Sequence, residues 1–267
     1  AMASDYIQKK GWLKIAQDAA KFYYQRDVEK QGLTGGHSGD ISQDADADSA
    51  FGLLESLMAL YYYTGEKQWI NKAEVLASLG ATWTFSYDPV FPVNSDIGRL
   101  KSNMAGGIWA SIQNKHAAPG ICTASGDYIF KLFRATGNLL YADLIRDIQR
   151  AHAEAVNMPG HITTNNLIGS SMERIQLSDA EGRGSVGKFI NTRNSWTETN
   201  GMLMALEIPG IYLNMDHQKL YVFDHVKAEL LASDQSGITI QLTNETAYDA
   251  NVSVMAESEK QAIKPLS

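Results

Sequence analysis

Two stretches, YYYTGEKQWINKA at 61–73 and FRATGNLLYADLI at 133–145, decide the fold. Each runs from an apolar helical segment into Thr-Gly, then three residues, then an aromatic that opens another helical segment. Thr64-Gly65 and Thr136-Gly137 lie 72 residues apart. A glycine at such a point closes a helix in the left-handed conformation. The aromatic that follows packs back on the hairpin so formed. One copy is an ordinary helix end. Two copies, each between apolar helices, predict stacked helical hairpins.

The same spacing extends outward from these anchors. Trp12, Ile15, Ala19, Phe22 and Tyr23 recur at helical intervals, as do Phe51, Leu54, Met58 and Tyr61, and again Trp69, Ala73, Leu76, Gly80 and Trp83. A loop carrying Pro89 and Pro92 follows. Further helices are expected near 104–113, 123–135, 139–156 and 196–206, about seven in all. Beyond Pro209 the pattern changes. GITIQLTN at 237–244 alternates Ile238, Ile240 and Leu242, and ANVSVMAE at 250–257 alternates Val252 and Val254. Both read as half-buried strands, with NETAYD as the turn between them. The expected organisation is a helical-hairpin unit over 5–209 and a β segment over 210–267.

Composition limits the function. Hydrophobic residues make up 44% of 267 residues, enough for a real core. The net charge of −7 and the lack of a Lys/Arg-rich run argue against a nucleic acid or an anionic membrane as partner. The opening AMASDYIQKK lacks the apolar core of a signal peptide, and Ala1-Met2-Ala3 reads as a remnant of cloning. A single cysteine, Cys122, excludes an internal disulfide and any multi-cysteine zinc site. It reads as a small apolar core residue.

The chemistry concentrates at 42–54, SQDADADSAFGLL, where Asp44, Asp46 and Asp48 precede an apolar helix. Asp46, Asp48 or Ser49 can cap that helix, and the other carboxylates favour its positive end. Capping accounts for one or two aspartates. With Asp40 there are four in nine residues, and like charges oppose each other. A calcium loop places Asp44, Asp46, Asp48 and Glu55 at positions 1, 3, 5 and 12, but the glycine needed at position 6 is Ser49.

The stretch also resembles the aspartate-rich helix start of family 8 glycoside hydrolases, broadly Ala-Ser/Thr-Asp-Ala/Gly-Asp-x-x-Ile/Met-Ala-x-x-Leu. Asp44-Ala45-Asp46, Ala50 and Leu53 match, while Gln43 and Ser49 depart from it. The Thr-Gly hairpins are similar to those of the wider superfamily of α/α-toroid glycosidases and polysaccharide lyases. The resemblance implies a mainly α, helical-hairpin toroid or partial toroid, with carboxylates at helix starts facing a groove at one end. It gives Asp46 the place facing the sugar whose bond breaks, with Asp44 and Asp48 beside it as substrate-binding residues.

Glycosidic cleavage needs one protonated carboxyl and one carboxylate, and clustered acids raise one pKa. The partner carboxylate is sought at Glu198, which lies beside Trp196, and at Glu173, which lies beside Arg174. Each also reads as an ordinary helix-start or surface acid. Trp196 can stack on a sugar ring or pack in the core. QGLTGGHSGDIS at 31–42 is no phosphate loop, because its Gly-Lys-Ser/Thr end is absent. Its glycines would let a substrate approach, with His37 as a hydrogen-bonding residue. No histidine pair has zinc-hydrolase spacing, so no metal and no cofactor are expected.

The sequence therefore predicts a glycoside hydrolase acting on an oligo- or polysaccharide. A polysaccharide lyase is the rival within the same superfamily, and a non-catalytic carbohydrate-binding or structural module is the rival outside it. An open arc of hairpins would leave an apolar flank uncovered, so a homo-oligomer or a missing upstream domain is expected to cover it.

Overall fold

The computed structural model describes residues 1–35, 44–122, 124–162, 167–191, 195–234, 237–258, 260 and 266. Its core is made by helical hairpins. Helix α1 (Met2–Ile7) leads into α2 (Lys10–Tyr23), which continues as one π-helical stretch over Tyr24–Glu29. The first hairpin is α3 (Ala47–Thr64) against α4 (Lys67–Thr82). After the short α5 (Asp96–Leu100), the second is α6 (Asp127–Thr136) against α7 (Leu139–Glu154), and α8 (Trp196–Glu207) closes the helical part.

The two Thr-Gly corners are built alike. Gly65 and Gly137 sit at φ 67° and 70°, and their N–H groups donate to Tyr61 O and Phe133 O at 2.7 Å each. At both corners the threonine hydroxyl donates back into its helix, Thr64 to Leu60 O at 2.7 Å and Thr136 to Leu132 O at 2.8 Å. It then accepts the N–H of the second residue on, at 3.2 Å in each case. The aromatic that follows is buried both times, as Trp69 and as Tyr141. The sequence echo thus records one corner used twice.

The helix expected near 104–113 does not form. Gly106 adopts φ 95°, and a Cβ there would lie 1.9 Å from Asp147 O on α7. The backbone passes too close to α7, and in too open a conformation, for a helix to continue. The chain instead makes β1 (Ile108–Trp109), which pairs antiparallel with β2 (Ala117–Ala118). Two more short strands complete this sheet, β3 (Arg174–Ile175) and β4 (Phe189–Ile190), in the order β1-β2-β3-β4. A second small core gathers around it from Ile97, Met104, Ala117, Met172, Ile175 and Phe189.

The C-terminal part is β, with more strands than the alternation revealed. β5 (Ile211–Asn214) lies between β6 (Lys219–Val222) and β9 (Val254–Glu257), antiparallel to β6 and parallel to β9. β7 (Val226–Asp234) and β8 (Gly237–Asn244) form a separate antiparallel hairpin with an irregularity between Leu230 and Ala232. An aromatic cluster ties the three-stranded sheet to α6. Phe130 meets Tyr212 and Phe223 at 5.4 Å each, and Phe133 meets Tyr221 at 4.7 Å, all near edge-to-face. Beside it, Arg134 pairs with Glu257 through both ends of its fork, and the Tyr212 hydroxyl donates to Glu257 at 2.8 Å.

The apolar face of α2 turns partly outward. Ala20, Tyr24 and Val28 are buried, while Trp12, Ile15, Phe22 and Tyr23 are exposed. No helix among the described residues is long and apolar enough to cross a membrane.

Candidate active site

The alternation of the aspartates has a structural origin. Residues 44–46 are extended, and Asp46 has φ −147° and ψ 157°. This short segment runs beside residues 110–113: Ile112 N–H donates to Ala45 O at 3.1 Å, and Ala47 N–H donates to Ala110 O at 3.0 Å. Period-two backbone brings Asp44 and Asp46 to the same side. The Asp44 carboxylate, buried there, accepts the Gln113 N–H at 2.9 Å. Asp46, only 1% exposed, is the N-cap of α3. Its Oδ1 accepts the Ser49 N–H at 2.5 Å, and its Oδ2 accepts the Ser49 hydroxyl at 3.1 Å. Because α3 begins at Ala47, the helix occupies what a calcium loop would need, which removes that reading. Among the described residues, no group of three His, Cys, Asp or Glu side chains is arranged to hold a metal ion.

Asp48 lies one turn into a cleft of about 510 Å³ between the end of α2, the face of α3 and the start of α6. Its polar lining includes Arg26, Asp27, Thr34, Asp48, Glu55 and Tyr128, and Cys122 lies beside them, half-buried where a core position had been expected. Arg26 is engaged with Asp27 through both carboxylate oxygens, at 2.5 and 2.8 Å. Glu55 is exposed at the cleft; partial desolvation by the surrounding protein still raises its pKa, and the Asp127 carboxylate adds to the rise, while Lys131 opposes it and Glu207 reinforces it. Burial likewise pushes the Tyr128 phenol well above its ordinary value, helped by the charges of Glu55, Asp127 and Asp48. The Tyr128 and Thr34 hydroxyls are both buried and have no hydrogen-bond partner among the described residues. Two unpaired hydroxyls beneath one acidic cleft is an unusual expense in a native fold.

The other candidates lie elsewhere. Glu198, in the first turn of α8, accepts the Ser171 N–H at 3.0 Å and the Thr197 hydroxyl at 3.2 Å. Glu173 precedes β3 and lies 3.8 Å from the Arg174 guanidinium. Glu198 therefore bonds to the segment that carries Glu173. Trp196, half-buried, is the first residue of α8. None of Asp44, Asp46, Glu173, Glu198 and Trp196 is among the side chains lining the cleft. His37 lies outside the described residues. His152 on α7 is a core residue: its pKa is lowered by burial, and its Nε2 lies 2.8 Å from Thr197 O.

Sequence reasoning met Glu55 only as the last ligand of a calcium loop. One signal was available. Glu55 and Asp127 are separated by the same 72 residues as the two Thr-Gly corners, so they occupy equivalent positions in the two hairpins.

No protein-family model matches this sequence. No curated protein sequence matches it either. Among solved structures, a crystal structure of D-mannose isomerase aligns with 76% of this chain and 52% of its own, at 11% identity and a TM-score of 0.45. The chain spans about half the length of that protein.

Proposed function

We propose that this chain is a carbohydrate-active enzyme that hydrolyses glycosidic bonds in neutral oligo- or polysaccharides. The observation that carries the reading is the acidic cleft on α3, where Asp48 and Glu55 share one opening over two unpaired hydroxyls. Hydrolysis of an acetal needs a carboxyl that holds its proton and a carboxylate that does not. The excess of acids over bases repels uronate substrates and so disfavours the lyase chemistry, which wants basic residues around a sugar carboxylate. The proposal extends to the architecture: an α/α-toroid-like arrangement of the hairpins over 5–209 and a β unit over 210–267. Asp44, Asp46, Glu173, Glu198, His37 and Trp196 stay within it as groups that variants must sort into substrate contacts and structural ones.

The test is a panel of neutral hexasaccharides of glucose, xylose and mannose, beside a polyuronate. New reducing ends from a neutral glycan, with no rise in ultraviolet absorbance, are the expected result. Unsaturated products from the polyuronate would support the lyase instead. Binding of a glycan without turnover would support a non-catalytic module.

A further inference from the structure

We propose that two copies of this chain pair through the outer face of α2, their helices antiparallel about a two-fold axis at the level of Gln17. The proposal is independent of the reaction that the cleft carries out.

α2 carries two apolar stripes, and one is enough to hold it on the body. The inner stripe is Leu13, Ala16, Ala20 and Tyr24, which pack into the main core. The outer stripe is Trp12, Ile15, Ala19 and Phe22, all of them exposed. Its steps are three, four and three residues. That is the spacing of the a and d positions of a heptad, which keeps one seam of a helix turned toward another helix. A face that meets only water has no need of it.

The seam complements itself. In a two-fold contact, each residue that touches a second residue is touched by that residue's own copy in return. Trp12 and Phe22 are centred on residue 17, and so are Ile15 and Ala19. One axis therefore sets Trp12 against Phe22 of the second copy and Ile15 against Ala19 of the second copy. The inner layers each join a branched side chain to a small one, and the outer layers each join two aromatics, so every layer fills. A parallel pairing would set Ala19 on Ala19 and Ile15 on Ile15, a hollow layer beside a crowded one.

The area suits such a pair. Trp12, Phe22 and the neighbouring Tyr23 are each about half exposed, and Ile15 more so. Aromatic side chains bury about 150–250 Å² each, so the stripe leaves roughly 400 Å² of apolar surface bare. That reaches the size of the patches that soluble chains use for contact. Two copies cover about twice that area, and the polar margins carry the total to the roughly 1,000 Å² of a specific interface. The charges beside the middle and far end of the stripe are already neutralised, Lys14 by Asp18 and Arg26 by Asp27.

The experiment uses the full chain and three variants at exposed positions, Ile15→Glu, Ile15→Lys and Ala19→Lys. Each is first checked for wild-type cooperative unfolding and then followed by sedimentation velocity at micromolar concentration. The wild type should sediment as a dimer and each variant alone as a monomer. An equimolar mixture of Ile15→Glu and Ala19→Lys should dimerise again, because the two introduced charges are opposite and face each other. Salt should weaken that mixed dimer more than the wild-type one. A wild type that is monomeric at every concentration would overturn the proposal and leave the stripe to a different partner. Variants as dimeric as the wild type would place the interface away from α2. Recovery in the mixture of Ile15→Glu with Ile15→Lys, and not in that with Ala19→Lys, would overturn the antiparallel register in favour of a parallel one.

Discussion

Replacing Asp46 separates a helix cap from a catalytic group, because asparagine and alanine differ in the one property that matters. In the structure the Asp46 carboxylate accepts from Ser49 N–H and Ser49 Oγ and is 1% exposed. An asparagine oxygen accepts the same backbone N–H, and Asn ranks with Asp as an N-cap. Alanine leaves that N–H unsatisfied at the buried start of an 18-residue helix. Asp46→Ala should therefore cost about 0.5–2 kcal/mol, and Asp46→Asn only a fraction of that. For a chain of this size each kcal/mol lowers the melting temperature by roughly 2–4 °C. The assay is urea unfolding of wild type and both variants, with turnover measured on the folded proteins. Capping as the whole role of Asp46 expects turnover of the folded Asp46→Asn protein within a few-fold of wild type. A fall by orders of magnitude with stability intact would refute that account and restore the sugar-facing role suggested by the sequence resemblance. An Asp46→Ala protein as stable as wild type would refute the cap itself.

Glu257→Gln should destabilise the junction between α6 and the three-stranded sheet by about 3–5 kcal/mol, since it strands the buried Arg134 charge; a double-mutant cycle with Arg134→Met measures the coupling, and values near zero would contradict it. Burial opposes ionisation of Glu257, but the bonds from Arg134 and Tyr212 outweigh it and hold its pKa below the ordinary value. Its contribution is thus present above the unfolded-state pKa and is lost as pH falls through the folded one, so the wild-type advantage over Glu257→Gln should shrink in acid unfolding series. On α2, Trp12, Ile15 and Phe22 are 39%, 65% and 58% exposed, which predicts self-association at micromolar concentration in sedimentation velocity and its loss in Ile15→Glu; a wild-type monomer at every concentration would refute it.

How legible the fold was depended on how local its causes were. The two hairpins were plain because everything that makes the corner lies within about eight residues: the helical run, the threonine that bonds back, the glycine at positive φ, and the aromatic that returns. β8 and β9 were plain for the same reason, since alternation is local. The segment 104–113 misled because its apolar residues have helical spacing while its conformation is set by α7, some forty residues further on, which Gly106 meets backbone to backbone. β5 to β7 were hidden because β5 is buried along most of its length and shows no alternation.

The candidate site was legible only as far as the cap and Asp48, and the physics explains the limit. An aspartate-rich helix start announces itself in sequence because capping and dipole effects act within one turn. A carboxyl that must hold its proton does not, because burial and neighbours decide its pKa, and those neighbours come from anywhere in the chain. Glu55 looks like any solvated helix acid until α6 and α8 bring Asp127 and Glu207 to it. Part of that approach was nonetheless written in the repeat. If two hairpins share a corner and pack side by side, residues at matching positions tend to face the same space. Glu55 and Asp127 stand at matching positions, nine residues before Thr64 and Thr136. The repeat that stacks the helices also sets two acids toward one another, and the charge of Asp127 adds to the rise in the Glu55 pKa that burial begins.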